Sequence, residues 1–178
     1  QVIGSYLKHE GHENHWIDIP LPDLDFCSSI YGQTVCDWSL NTFDRLALAL
    51  VLAPQLRPEI LDIFFGLNQI DDRPFTEFGG VTDKTFSGFV PTAQTLSFLI
   101  CANDPHWRTE VIRILEPSQL LMVEQLLQFE GADETLPTFS GVISLSDQWL
   151  HYFISGEKVR PELSAAFPAQ PITTPMDW

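Results

Sequence analysis

The chain has 178 residues, room for one domain with ordered extensions, and its 44% apolar and 12% aromatic content exceeds what a disordered chain carries. Nine Lys and Arg against 24 Asp and Glu give a net charge of −15, which repels nucleic-acid phosphates over most of the surface. That acidity reads first as a solvated face and second as a face for a basic protein partner.

Residues 1–37 have mixed patterning and are expected to form an N-terminal arm packed on the main domain. Within it "HWIDIPLPDLDF" offers an edge strand at best, because Pro20 and Pro22 cannot serve a central ladder. The first fifteen residues show no secretory signal pattern, and because Gln1 is not an initiator methionine a fragment or a trimmed chain is expected. Cys27, Cys36 and Cys101 form no CxxC and cannot all pair, which points to a reduced, cytoplasmic chain; a Cys27–Cys36 bridge is the alternative.

The regular part begins at Asn41, a good N-cap with Asp44 in the first turn. The following helix carries "LALALVLA" (46–53), apolar nearly all round and hence central, and it should end at Pro54. At eight residues this run is far short of the ~20 needed to cross a bilayer, so no membrane segment is expected. Pro58 suits the first position of a second helix, "PEILDIFFGLN", closing near Gly66. Its Ile60, Leu61, Phe64 and Phe65 would face the first helix as an i, i+1, i+4, i+5 stripe.

After the glycine-rich stretch of residues 76–92, Thr92 caps a third helix, "AQTLSFLICA". Asp104 and Pro105 then start a fourth, "PHWRTEVIRIL". "EQLLQFE" and "GVISL" read as two strands of a hairpin, and Ser146 with Asp147 starts a last helix that stops at Gly156. Four prolines in the final 18 residues suit an extended linker. The predicted class is α+β: a helical cluster with a β-hairpin, the layout of a winged-helix domain. The divisions are an arm (1–37), a winged-helix-like domain (38–160) and a Pro-rich tail (161–178).

Motifs for chemistry are scarce. His9, His12 and His15 in "HEGHENH" fall one residue short of the H-E-x-x-H spacing that puts two imidazoles on one helical face, leaving a weak candidate for adventitious metal binding. "TFSGF" around Ser87 is no nucleophile elbow. His106 and His151 have no partner in the sequence, and Asp71 with Asp72 reads more readily as a turn than as an acid–base pair. Gly79, Gly80 and Gly88 lack the following Gly-Lys-Ser/Thr of a P-loop, with Lys84 stranded mid-loop, so no nucleotide site is expected. The stretch instead reads as a connection anchored by Phe75, Phe78, Phe86 and Phe89. Phe78-Gly79-Gly80 and Ser87-Gly88-Phe89 could close it as a β-pair, and Thr82, Asp83, Lys84 and Thr85 form a tip that is a candidate contact surface.

"RPFTEFGGVTDKTFSGFVPTAQTLSFLICAND", "SGVISLSDQWLHYFISGE" and "FPAQPITTPMDW" together resemble the winged-helix region that precedes the ATPase module in a family of bacterial AAA+ ATPases. Those ATPases are associated with contractile, phage-tail-like injection systems. The resemblance covers residues 40–178 and is most specific at Phe78-Gly79-Gly80, Ser87-Gly88-Phe89 and the terminal Thr173-Thr174-Pro175-Met176-Asp177-Trp178. It implies a parent ATPase using ATP and magnesium, with its Walker motifs beyond Trp178, so no catalytic or cofactor-binding residue is assigned here. The implied role is a non-catalytic accessory domain that contacts its own ATPase module and a protein partner, such as a component of the injection machine. Two other classes are weighed against it. A DNA-binding winged helix would need a basic recognition helix, yet the third helix has no Lys or Arg and the fourth only Arg108 and Arg113. A small hydrolase would need a convergent catalytic set that cannot be named.

Overall fold

The computed structural model describes residues 21–24, 27–68, 70, 72–82, 84–101 and 104–157. The proposed edge strand near residues 17–19, the three N-terminal histidines and the Pro-rich tail lie outside the described residues.

The order of elements is α1 (Ile30–Asp37), α2 (Thr42–Leu56), a 3-10 helix (Pro58–Phe65), β1 (Leu67–Asn68) and β2 (Arg73–Pro74). There follow α3 (Ala93–Cys101), α4 (Arg108–Ile114), α5 (Leu120–Val123), β3 (Leu127–Glu130), β4 (Val142–Leu145) and α6 (Asp147–Ser155). Two small antiparallel sheets, β1–β2 and β3–β4, accompany the helices, so the class is α+β.

Helix α1 falls inside the stretch expected to be an irregular arm. Ser29 caps it by accepting from the Gly32 N–H at 3.1 Å. Gly32 is buried mid-helix, and a Cβ there would stand 2.7 Å from the Cys27 Cβ, so close packing overrides the helix cost of glycine. Val35 brings α1 into the core.

The predicted start of α2 is found as a capping box. The Asn41 side-chain oxygen accepts from the N–H groups of Phe43 (2.8 Å) and Asp44 (3.0 Å), while the Asp44 carboxylate accepts from the Asn41 N–H. Its end is a correction: α2 runs through Pro54 to Leu56. Pro54 sits in the last turn, where only one intrahelical bond is lost and the Arg57 N–H still reaches the Ala53 carbonyl at 2.9 Å.

The second helix is also corrected, being 3-10 and not α. With three residues per turn, Pro58, Leu61 and Phe64 form one ridge and Ile60 with Ile63 another. Leu61 is therefore buried and Phe64 packed on the core, while Ile60 is 57% and Ile63 52% exposed. The predicted four-residue stripe does not form.

Helix α3 starts at the predicted Thr92 cap, with Leu96 and Ile100 fully buried. Asp104 accepts from the His106 N–H at 2.9 Å and opens a short 3-10 turn (Pro105–Trp107) that feeds α4. The predicted hairpin is present, with Leu127 opposite Leu145 and Phe129 opposite Ile143 on one face. Thr92 bridges Val142, and the Ile143 N–H donates to the Pro91 carbonyl at 3.1 Å, laying the residues before α3 along the other side of β4. Helix α6 ends as predicted at Gly156, in the left-handed region at φ 78°. The Trp149 indole N–H donates to the Glu124 carbonyl at 2.9 Å, and Trp149 meets Trp38 edge-on at 5.1 Å, fastening α6 to α1.

Candidate functional site

The glycine-rich connection is built from the phenylalanines outward. Phe78 and Phe89 are buried, and Phe64 of the 3-10 helix lies 5.4 and 5.1 Å from their ring centres. Phe98 on α3 meets Phe78 at 4.8 Å. Edge-to-face and tilted rings at these separations stabilise each other beyond simple burial.

Val81 and Val90 exchange both backbone hydrogen bonds, at 2.9 and 3.1 Å, so a β-bridge closes the loop one residue beyond each of the segments expected to pair, Phe78-Gly79-Gly80 and Ser87-Gly88-Phe89. Gly79 and Gly80 have φ of 62° and 82°. A Cβ on Gly80 would fall 2.1 Å from the Phe89 ring, so both conformation and space demand glycine there. Gly88 serves by close approach, with the Phe86 ring 2.4 Å from where its Cβ would be. Gly80 donates its N–H to the Thr92 hydroxyl at 3.1 Å, tying the loop to the start of α3.

Thr82, Ser87, Lys84 and Thr85 are exposed; Asp83 lies outside the described residues. The loop's N–H groups at Gly80, Val81 and Val90 are spent on the protein itself, which leaves them unavailable to cradle a phosphate.

The other candidate residues lie on separate elements. Asp72 is in the β1–β2 turn at φ 50°, His106 is exposed before α4, and His151 on α6 shares a 3.1 Å hydrogen bond with Ser155 one turn on. One cleft of about 210 Å³ lies among Val51, Pro54, Phe86, Val90, Pro91 and Ile143. A second of about 150 Å³ lies among Glu77, Gln94, Phe98, Cys101 and Arg108. Both fall below the ~300 Å³ at which small-molecule pockets usually begin, and neither wall contains Asp72, His106 or His151. Cys27, Cys36 and Cys101 are free thiols, so the alternative bridge is not formed. Among the described residues no group of three or more His, Cys, Asp or Glu is placed to hold a metal. No described helix is long and apolar enough to cross a membrane.

Of the two arginines of α4, Arg113 is engaged within the fold and Arg108 is exposed. Arg113 donates to Asp44 at 3.0 Å, to Glu110 at 2.8 Å and to Gln119 at 3.2 Å. Burial weakens the hold of its guanidinium on the proton, and the hydrogen bonds to Glu110 and Asp44 outweigh that, raising its pKa above the usual arginine value. Arg108 stands 5.8 Å over the Phe139 ring. The sequence showed these arginines but not their partners, since Asp44 is 69 residues from Arg113. It also placed Ile60 and Phe65 on the core side, and the signal that would have corrected this is the exposed Ile60–Ile63 spacing of three.

Comparison with protein-family models, curated proteins and solved structures gives no match to this chain.

Proposed function

We propose that this chain is a winged-helix protein-interaction domain, working in the cytoplasm as the accessory region of an AAA+ ATPase and not as an enzyme in its own right. Support for the winged-helix reading comes from strand order. Residues 90–92, β4 and β3 lie side by side, with α3, α4 and the single turn α5 between the first of these and the hairpin. With the single turn α5 set aside as an insertion, that succession of helix, strand, two helices and a hairpin is the winged-helix arrangement. Residues 131–141 would be the wing, and Arg108–Ile114 the helix that nucleic-acid readers place in the major groove.

The observation that carries the protein-binding reading is the engagement of Arg113 in that helix, which leaves Arg108 as its one exposed arginine. A helix that reads DNA needs cations turned outward toward phosphates and bases. Here Arg113 is held by two carboxylates, Arg108 is exposed but alone on the helix, and the chain carries −15 overall. The assignment to an ATPase rests on the resemblance at Phe78-Gly79-Gly80, Ser87-Gly88-Phe89 and residues 173–178. It implies ATP and magnesium for the neighbouring module, and a component of a contractile injection machine as the partner.

Two measurements test this reading. The reading frame after Trp178 should enter a P-loop within about one domain length, and a continuous frame without one removes the ATPase assignment. In a gel shift at low salt the chain should leave duplex DNA unshifted; tight, salt-sensitive binding would replace the proposal with a transcription-regulator reading.

A further inference from the structure

We infer that the 3-10 helix Pro58–Phe65 presents a docking ridge, centred on Ile60 and Ile63, for a cationic amphipathic segment of another protein; this rests on the protein-interaction reading above. Monomeric surfaces scatter single apolar residues, whereas a concentration of them marks a contact site. Among the described residues, six exposed large hydrophobics fall within residues 56–70: Leu56, Ile60, Ile63, Phe65, Leu67 and Ile70. An α-helix over the same residues would have turned Ile60 and Phe65 toward the core along with Leu61 and Phe64. The 3-10 winding instead lines Ile60 and Ile63 up on an outer ridge.

Charge selects the occupant. The neighbouring ridge of the same helix carries Glu59 and Asp62, both exposed. The sequence of residues 56–78 holds five carboxylates (Glu59, Asp62, Asp71, Asp72, Glu77) to two arginines (Arg57, Arg73), and Arg57 already pairs with Glu59. Hydrogen bonding from Arg57 holds the Glu59 carboxyl below its usual pKa. A second copy of this chain would bring a net −15 against the same −15, which opposes association. A segment with an apolar face for the isoleucines and flanking Lys or Arg for the carboxylates satisfies both features, in the manner of a helix laid against an apolar strip.

The test uses the full 178-residue chain and three fluorescent synthetic helices: Leu/Lys amphipathic, Lys/Ser of the same charge, and Leu/Glu of opposite charge. At ~0.15 M salt the Leu/Lys helix should bind at least about tenfold more tightly than either of the others. Ile60→Ser with Ile63→Ser should weaken Leu/Lys binding by about tenfold or more, whereas Ile112→Ser, an exposed isoleucine on α4, should leave it unchanged. A thermal melt confirms folding, and Ile63→Lys alone substitutes if the double variant does not fold. Equal binding of Leu/Lys and Lys/Ser helices, or equal binding by wild type and ridge variant, overturns the proposal. So does a wild-type dimer that the ridge variant dissolves, which would make a second copy the occupant. Absent Leu/Lys binding with duplex DNA unshifted defeats the ridge alone, whereas salt-sensitive DNA binding defeats the interaction reading beneath it.

Discussion

The Thr92 hydroxyl accepts the backbone N–H of Gly80 at 3.1 Å across twelve residues of sequence, joining the glycine loop to the first residue before α3. The same hydroxyl caps α3 by accepting from the Thr95 N–H at 3.4 Å, and the Thr95 hydroxyl in turn accepts from the Thr92 N–H at 3.0 Å. Thr92 and Thr95 are both buried, so these bonds have no water to replace them. Thr92→Val keeps the shape and leaves the Gly80 N–H unpaired, which should cost about 1–3 kcal/mol. Thr92→Ser should recover most of that. Urea unfolding of both variants reads the difference, and a loss for Thr92→Ser with none for Thr92→Val would show that the methyl group, not the hydroxyl, is what matters.

Gly80→Ala combines two penalties: a left-handed φ of 82° and a Cβ that would overlap the Phe89 ring. Conformational strain of about 1–2 kcal/mol and overpacking of about 1–3 kcal/mol together predict a marginal or unfolded variant. Gly131→Ala is the control, since no atom lies within 4 Å of its Cβ position. Comparable melting temperatures for the two variants would refute the loop geometry.

Arg113 links α4 to the first turn of α2 through Asp44, with 30% and 17% of the two side chains exposed. Arg113→Met should cost about 1–2 kcal/mol, the range for a partly buried charge-assisted hydrogen bond that solvent still screens. A double-mutant cycle with Asp44→Asn should give a coupling of about 1 kcal/mol. Zero coupling would mean that Asp44 acts only through its cap on Asn41.

What the sequence revealed, and what it hid, follows from how local each signal is. The Asn41 box, the Thr92 cap, the Leu127–Val142 hairpin and the Gly156 stop depend on residues a few positions apart, and all were legible. Helix α1 was not, because Gly32 and its β-branched neighbours disfavour a helix that tertiary contacts such as Val35 packing, the Cys27 approach and the Trp38–Trp149 pair sustain. The 58–65 helix was read at a period of 3.6 when the chain winds at 3.0, and that error moved Ile60 from exposed to buried. At the candidate site the glycines and phenylalanines were legible as architecture. The Arg113–Asp44 pair and the hydroxyl bond from Thr92 to Gly80 were not, since each joins elements distant in sequence.

The Cys27 thiol lies 2.9 Å from the Ser29 hydroxyl. The side-chain and then the backbone hydrogen bonds of Ser29 lower its pKa below the usual thiol value, against a smaller opposing effect of burial. The thiolate is the nucleophile that displaces iodide, so Cys27 should react with iodoacetamide at lower pH in the folded chain than in urea. Its depressed pKa favours the folded state above the unfolded thiol pKa, and that contribution fades as pH falls through the folded one. Ser29→Ala should move the labelling midpoint upward, followed by mass spectrometry of the Cys27 peptide. An unmoved midpoint would assign the effect to something other than Ser29.

Ser146 occupies the cap position of α6, where a serine normally accepts from the first turn and its loss costs about 1 kcal/mol. Here the hydroxyl makes no cap bond, is 93% buried by its 7% exposure, and finds no hydrogen-bond partner among the described residues. An unpaired buried hydroxyl carries a desolvation cost that a methyl group does not. Ser146→Ala should therefore be neutral or stabilising, raising the melting temperature by up to a few degrees, in contrast to Asn41→Ala, which removes a formed box and should lower it. The backbone roles of residue 146, donating to the Leu126 carbonyl at 3.3 Å and accepting from the Leu150 N–H at 2.9 Å, survive the change. A loss of about 1 kcal/mol at Ser146, equal to that at Asn41, would show that its hydroxyl does cap α6 in solution.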